Sequence, residues 1–511
     1  MSSPVLTATS SATLADAASR MNEGRVGSVV VVDGGRPIGI LTERDLVRFA
    51  AAGHDPTATK VSEWMTEAPH TVSPDASLTE AWDTLAEKGY RHIPVVADGQ
   101  LVGIVSLRDL VRIAQLLPVD DGRAGTLEAP RGLEGVIVAE TEVGDVRGQE
   151  GFYHYRQYNA VELADKRSLE DVWRLLFDGE LPTGAAERDA FMDEVRPLRI
   201  VPDAVRPLLP QIAAAGRAQD RGLLDGLRTA VSAVAQSQAF QPSLDVDAAT
   251  LRDNALRVCA VTPTLIAALF RLSQGLDPIE PHPDLGYAAN YLYMISGDVP
   301  EPERARGVEQ YQITTIDHGF NASTFTARVI TSTGADVGAA VVGAIGALSG
   351  PLHGGAPSRA LDMLDAIGTP DNAEPWIRHA VETGGRIMGF GHRVYKTDDP
   401  RSVFMRTVAE RLGGDKVAFA KQVERTVVEV LADLKPGRHL YANVEFYAGV
   451  VMYRCGLPRQ MFTPTFASSR VIGWCANILE QSADNRIIRP SARYVGPPPP
   501  QPVPTVAVPS S

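Results

Sequence analysis

Three short segments in the C-terminal half set single histidines among glycines and small residues. They read DHGFNAST (317–324), GPLHGG (350–355) and GFGHRVYKTDDPR (389–401). Glycine lets the backbone approach a ligand closely and adopt conformations closed to other residues. His318, His353 and His392 in such settings, with Arg401 closing the third segment, suggest a site that holds a polyanion and polarises a carbonyl. A fourth segment, NVEFYAG (443–449), adds Glu445, a carboxylate suited to act as a base. One buried histidine is more often structural than catalytic; three in matching settings, with an arginine and a carboxylate, favour chemistry. Metal binding is the weaker reading. The three histidines lack i, i+4 spacing, and no cysteine or carboxylate cluster accompanies them.

From residue 131 onward the elements that must position these groups read as helices. DVWRLLFDG, NALRVCAVTPTLIAALFRLSQG and TVVEVLADLK carry apolar residues at helical spacing. The Ala-rich run AAVVGAIGALSG before His353 predicts a buried helix with close neighbours. The N-terminal stretch is organised differently, by an internal repeat. GSVVVVDGGRPIGILTERDLVR (27–48) aligns without gaps to RHIPVVADGQLVGIVSLRDLVR (91–112), an offset of 64 that also puts Ala17 on Ala81 and Met21 on Leu85. Each copy reads as helix, apolar strand, turn, second strand, helix, with DGG and DG as hairpin turns. Thr42 and Ser106 stand near helix N-caps.

A chain of 511 residues with 44% apolar and 22% charged residues is ordinary for a globular protein of two to four domains. The net charge of -13 argues against nucleic acid as a partner, because nonspecific binding needs a basic surface. Cys259, Cys455 and Cys475 are few, odd in number and not in metal spacing, which fits a reducing compartment. The expectation is that no apolar run is long enough to span a bilayer, and residues 1–20 lack the basic and apolar regions of a signal peptide. The expectation is a cytoplasmic protein with no membrane partner. The stretch GPPPPQPVPTVAVPSS (496–511) cannot form a packed core and reads as a disordered tail.

The four C-terminal motifs, in their order, resemble those of the citrate synthase family, from about residue 131 to 496. The resemblance implies a mostly α-helical fold with a large domain (about 131–355 and 466–495) and a small one (about 356–465). It implies condensation of acetyl-CoA with oxaloacetate and water to give citrate and CoA, with no tightly bound cofactor and no metal. Glu445 takes the place of the catalytic base; most of the family has Asp there, so this carboxylate stands one methylene further out. His353 matches the donor to the thioester carbonyl, His392 the donor to the oxaloacetate carbonyl, and His318 a third contact to oxaloacetate. Arg401 and Arg470 match carboxylate-binding arginines, and Arg489 one that the family supplies from the partner subunit, which implies a homodimer or higher homo-oligomer with shared active sites. Gly389, Gly391 and Lys396 match a coenzyme A loop, with Lys435 and Arg438 as further contacts to its 3′-phosphate. His154, in GFYHYRQY, is read as structural. The alternatives are a 2-methylcitrate synthase using propionyl-CoA, or a nucleotide-binding regulatory protein whose synthase half is inactive.

The N-terminal repeat resembles a tandem of cystathionine-β-synthase (CBS) motifs, a Bateman module, with motif 1 at 1–56, motif 2 at 57–118 and a linker at 119–130. VSEWMT (61–66) matches the usual opening of a second unit, and the first unit has no clear counterpart to it. The fold class is then an α/β CBS pair followed by the helical synthase. The resemblance implies an adenosine nucleotide effector, held by Thr42, Asp45 and Arg44 in one copy and Ser106, Asp109 and Arg108 in the other. The aspartates would take ribose hydroxyls, and the helix N-termini phosphate.

Overall fold

The computed structural model describes residues 5–24, 26–77, 80–82, 84–85, 90–106, 129–133, 135–217, 222–353, 356–391, 395, 397–434 and 441–503. Arg108, Asp109, His392, Lys396, Lys435 and Arg438 lie outside them, as do most of the linker and residues 504–511 of the tail. The chain divides into two compact units, residues 1–138 with 493–511 and residues 139–492.

The first unit carries the repeat into its strand pairing. β1 (Thr7–Ala8), β2 (Ser28–Asp33), β3 (Arg36–Thr42) and β4 (Thr66–Glu67) form one sheet, and β5 (His92–Ala97) and β6 (Gln100–Ser106) another. Ser28 pairs with Thr42 as His92 pairs with Ser106, and the irregularity between Val31 and Val32 recurs between Val95 and Val96. Both hairpins close on two residues with positive φ, Gly34–Gly35 and Asp98–Gly99, as the DGG and DG turns require. The first copy does have an N-terminal strand: Ala8 pairs in parallel with Val31, and Val72 pairs in parallel with Val95, again 64 residues on. Two residues make that strand, too few to leave a periodic signal. Leu14, Ala17 and Met21 lie on one face of the Leu14–Gly24 helix and are buried against Val29, Val31, Leu41 and Phe49.

The second unit opens with a three-stranded antiparallel sheet, β7 (Gly144–Arg147), β8 (Phe152–Tyr155) and β9 (Tyr158–Asn159). Side chains alternate on β8: Tyr153 and Tyr155 are buried, while Phe152 and His154 stack on the other side. The Tyr155 hydroxyl donates to the Ile313 carbonyl at 2.8 Å and Tyr153 to that of Thr314 at 3.3 Å. The sheet thereby grips the end of the Pro302–Thr315 helix, immediately before Asp317 and His318. The remainder is helical. The helix Ala248–Ser273 packs against Phe462–Ala483, and Ala322–Ser332 against Val337–Leu348. Ala248–Ser273 is long and apolar enough to cross a membrane by length and composition, which corrects the sequence reading. Its most apolar window is 83% buried inside the protein, which makes it a core helix.

Candidate active site

Local capping builds the site. Asn321, inside the first motif, is the N-cap of Ala322–Ser332, its Oδ1 accepting from the Ser323 and Thr324 amides. The Asp317 carboxylate accepts from the Gly319 amide at 3.0 Å and holds the His318 turn. Val337–Leu348, the predicted Ala-rich helix, runs to the second motif, where the His353 amide donates to the Gly350 carbonyl. Asn443 caps Val444–Arg454 by accepting from the Glu445 amide at 3.1 Å, which puts Glu445 in the first turn of that helix.

These segments converge on a cavity of about 180 Å³. His318, His353, Arg401, Glu445 and Arg470 line it together. Arg489 does not; it is exposed beyond the end of Phe462–Ala483. Thr42, Arg44 and Asp45 belong to the other unit, where Asp45 is buried and its Oδ2 accepts from the Thr42 amide and hydroxyl at 3.0 and 2.7 Å. Arg44 is exposed there, and Ser106 closes β6. Gly389 and Gly391 stand at the root of the third motif with positive φ. A Cβ on Gly389 would lie 2.8 Å from Cβ of Phe446, and the Gly391 amide donates to the Tyr441 carbonyl. Gly389 therefore serves the close approach of the backbone to the Glu445 helix.

Burial decides the charge states. Glu445 is pushed up to about 7 by desolvation, with Asp399 adding and with Arg401 and Arg359 opposing. A helix N-terminus favours the carboxylate, and burial outweighs it here. His353 is pushed down to about 4, by burial first and then by the Arg470 charge, so its imidazole is neutral at pH 7. Its Nε2 lies 2.8 Å from the Ser323 hydroxyl, which also accepts from the Trp474 indole at 3.1 Å. His318 Nε2 lies 3.0 Å from the Tyr395 hydroxyl.

Arg401 is 4% exposed and forms a two-point pair with Asp399. Arg470 is 2% exposed, donates to the Thr315 carbonyl at 2.7 Å and stacks on Phe466 at 4.6 Å. Burial and the like charge of Arg401 both pull the Arg470 guanidinium down, while Asp317 supports it. Asp317 itself is raised to about 6 by burial. Two buried guanidiniums that repel each other beside one cavity make a site for a dianion.

Several lining groups escaped the sequence reading. Asn321 and Asn443 stood inside quoted motifs, as did Ser323 and Asp399 behind the lining, and an inventory of every polar motif residue would have found them; Phe466 stands four residues before Arg470. Tyr311 and Thr315 lie in a helix with no motif signal.

The family model for the citrate synthase C-terminal domain matches residues 132–491, and the CBS domain model matches 1–52 and 61–115. A citrate synthase of Haloferax volcanii is 40% identical over 72% of this chain and 96% of its own length. A 2-methylcitrate synthase of Mycobacterium tuberculosis is 41% identical over 72% of this chain and 90% of its own. Among solved structures, a ternary complex of carboxymethyl coenzyme A and oxaloacetate with citrate synthase from Thermoplasma acidophilum superposes with a TM-score of 0.67 at 30% identity, covering 74% of this chain and 98% of that one. The chain is an enzyme of the citrate synthase family that carries an N-terminal pair of CBS domains.

Proposed function

We propose that the cavity condenses acetyl-CoA with oxaloacetate and water to give citrate and CoA. The observation that carries this reading is the meeting of Glu445, neutral His353 and two buried arginines in one small cavity. Arg401 and Arg470 hold the oxaloacetate carboxylates, with His318 beside them. His392, outside the described residues, polarises the ketone. Glu445 removes a proton from the thioester methyl, and His353 donates to the enolate oxygen as charge develops there. The Ser323 hydroxyl supports that role. The hydroxyl accepts from the Trp474 indole at 3.1 Å, donates to Asn321 Oδ1 at 2.8 Å and lies 2.8 Å from His353 Nε2, so it fixes the orientation of the ring. The enolate carbon bonds to the ketone carbon, and water hydrolyses the resulting thioester to release CoA. The 389–396 loop and the 435–438 segment bind coenzyme A in this reading.

The second reading, 2-methylcitrate synthesis, is favoured by the M. tuberculosis relative. One methylene discriminates by only about 1–3 kcal/mol, so the two substrates compete directly. Incubating the protein with oxaloacetate and equal acetyl-CoA and propionyl-CoA, then weighing the products by mass spectrometry, decides between them. Citrate in excess is the expected result; 2-methylcitrate in excess transfers the assignment.

The active form is proposed as a homodimer in the cytoplasm, with Arg489 reaching the partner's site. Ala339, Val342, Gly346 and Ala347 form a half-buried stripe on Val337–Leu348 that suits a second copy, while Gly343 packs against Ile330 of the same chain. The three cysteines are buried and free, as a reducing compartment would keep them. At the CBS pair, an adenosine nucleotide is proposed as effector, supported by the duplicated Thr42–Asp45 and Ser106–Asp109 pattern. It can act only by binding two states unequally. Titrating ATP, ADP and AMP is expected to change turnover in the wild type and not in an Asp45→Ala/Asp109→Ala double variant. An equal response in both would remove the idea.

A further inference from the structure

Asp399 stands two residues before Arg401 in KTDDPR and is 1% exposed. Its carboxylate is shared between two elements of the site. Oδ1 accepts from the Arg401 amide and from Arg401 Nε, both at 3.0 Å. Oδ2 accepts from Arg401 Nη2 at 2.9 Å and from the Val444 amide at 3.0 Å. Val444 is the first residue of the helix that carries Glu445. One buried anion therefore fixes the plane of the Arg401 guanidinium and the entry of the base helix, across 45 residues of chain.

We propose that Asp399 is a positioning residue that couples the substrate-binding Arg401 to the base Glu445, holding both in register and screening one from the other. This rests on reading the cavity as an oxaloacetate site. Among the described residues, the charged and titratable groups that act on Glu445 come from three other elements: Asp399 and Arg401 at the start of Pro400–Leu412, Arg359 on Ala356–Ile367, and Tyr311 on Pro302–Thr315. Left uncompensated, Arg401 would draw Glu445 into an ion pair and weaken it as a base. Burial is the first cause that raises Glu445, to about 7; Arg401 opposes it, and Asp399 offsets part of that opposition through its grip on Arg401 and its own repulsion. The same grip leaves Arg401 oriented for a planar, two-point contact with a carboxylate.

Two variants separate charge from geometry. Asp399→Asn keeps the size but sets an amide against the Arg401 Nη2 and Val444 donors. Asp399→Glu keeps the charge and moves it. Two quantities are measured: oxaloacetate affinity by calorimetry, and the Glu445 carboxyl midpoint by carbon-13 NMR, assigned with Glu445→Gln. Asp399→Asn is expected to weaken oxaloacetate by about tenfold or more and to lower the Glu445 midpoint by about one unit. Asp399→Glu is expected to weaken oxaloacetate while the midpoint stays near that of wild type. An unmoved midpoint in Asp399→Asn, or wild-type affinity in Asp399→Glu, overturns the proposal. A purely structural role would not move the midpoint. If Asp399→Asn does not fold, the affinity of Asp399→Glu decides. If the wild type itself ignores oxaloacetate, the functional reading fails, and the midpoint in Asp399→Asn still decides the coupling.

Discussion

Glu445→Gln is expected to reduce thiol release from acetyl-CoA and oxaloacetate by about 10²–10⁴-fold, the usual worth of a positioned base. Oxaloacetate binding is expected to survive, because Arg401 and Arg470 are untouched. Wild-type kcat/KM is expected to rise with pH through about 7, where burial puts the Glu445 titration. The acting form is the carboxylate, so activity is lost as pH falls. His353, pushed down to about 4, stays neutral across this range and adds no limb of its own above pH 5. Stability runs the opposite way. A carboxylate whose folded pKa lies above its unfolded value binds its proton more tightly when folded. Glu445 therefore costs stability as pH rises from 4.5 through about 7, the reverse of a salt-bridged Asp or Glu. The site gains its base at the pH where the fold bears the burial of that charge. A rate profile flat from pH 5.5 to 8.5 would remove Glu445 from the role.

Arg470→Leu is expected to destabilise the fold by about 3–5 kcal/mol, because it leaves the buried Asp317 carboxylate without its main opposing charge. Asp317 is 2% exposed and is already raised to about 6 with Arg470 beside it. Without the guanidinium its carboxylate loses its main opposing charge, and its folded pKa rises further. The sign follows: the deficit relative to wild type grows as pH rises through about 6, where wild-type Asp317 ionises and the variant's does not, so it is larger at pH 8 than at pH 5. Denaturant unfolding at the two pH values measures it. Adding Asp317→Asn to Arg470→Leu is expected to recover part of the loss at pH 8. A deficit independent of pH, or no recovery, would mean that Arg470 acts through packing on Phe466 rather than through charge.

Much of this site was legible because its chemistry lies in short motifs. His318, His353, Arg401 and Glu445 each carry glycines, small residues or a helix cap in the surrounding few residues, and those local features are what a sequence displays. Their environments were not legible. The link from Ser323 to His353 spans 30 residues and that from Trp474 to Ser323 spans 151, and only the folded chain sets which side chains meet over such distances. Tyr311 lines the cavity from a helix whose sequence, QYQITT, reads as ordinary core. Asp399 was visible in KTDDPR, yet nothing in the sequence tells which of two adjacent aspartates turns inward; the Val444 amide, 45 residues on, decides it. In the N-terminal unit the repeat offset gave the strands that carry valine runs. It passed over β1, because two residues held by parallel pairing to Val30 and Val31 leave no periodicity to read. The helix Ala248–Ser273 illustrates the opposite case: its apolarity reflects burial among other helices.

The most direct test of the account is oxaloacetate-dependent thiol release from acetyl-CoA, measured on wild type and Glu445→Gln side by side. The account predicts release by the wild type only when oxaloacetate is present, and near-complete loss in the variant. Equal release by both proteins, or release by the wild type that ignores oxaloacetate, would contradict it.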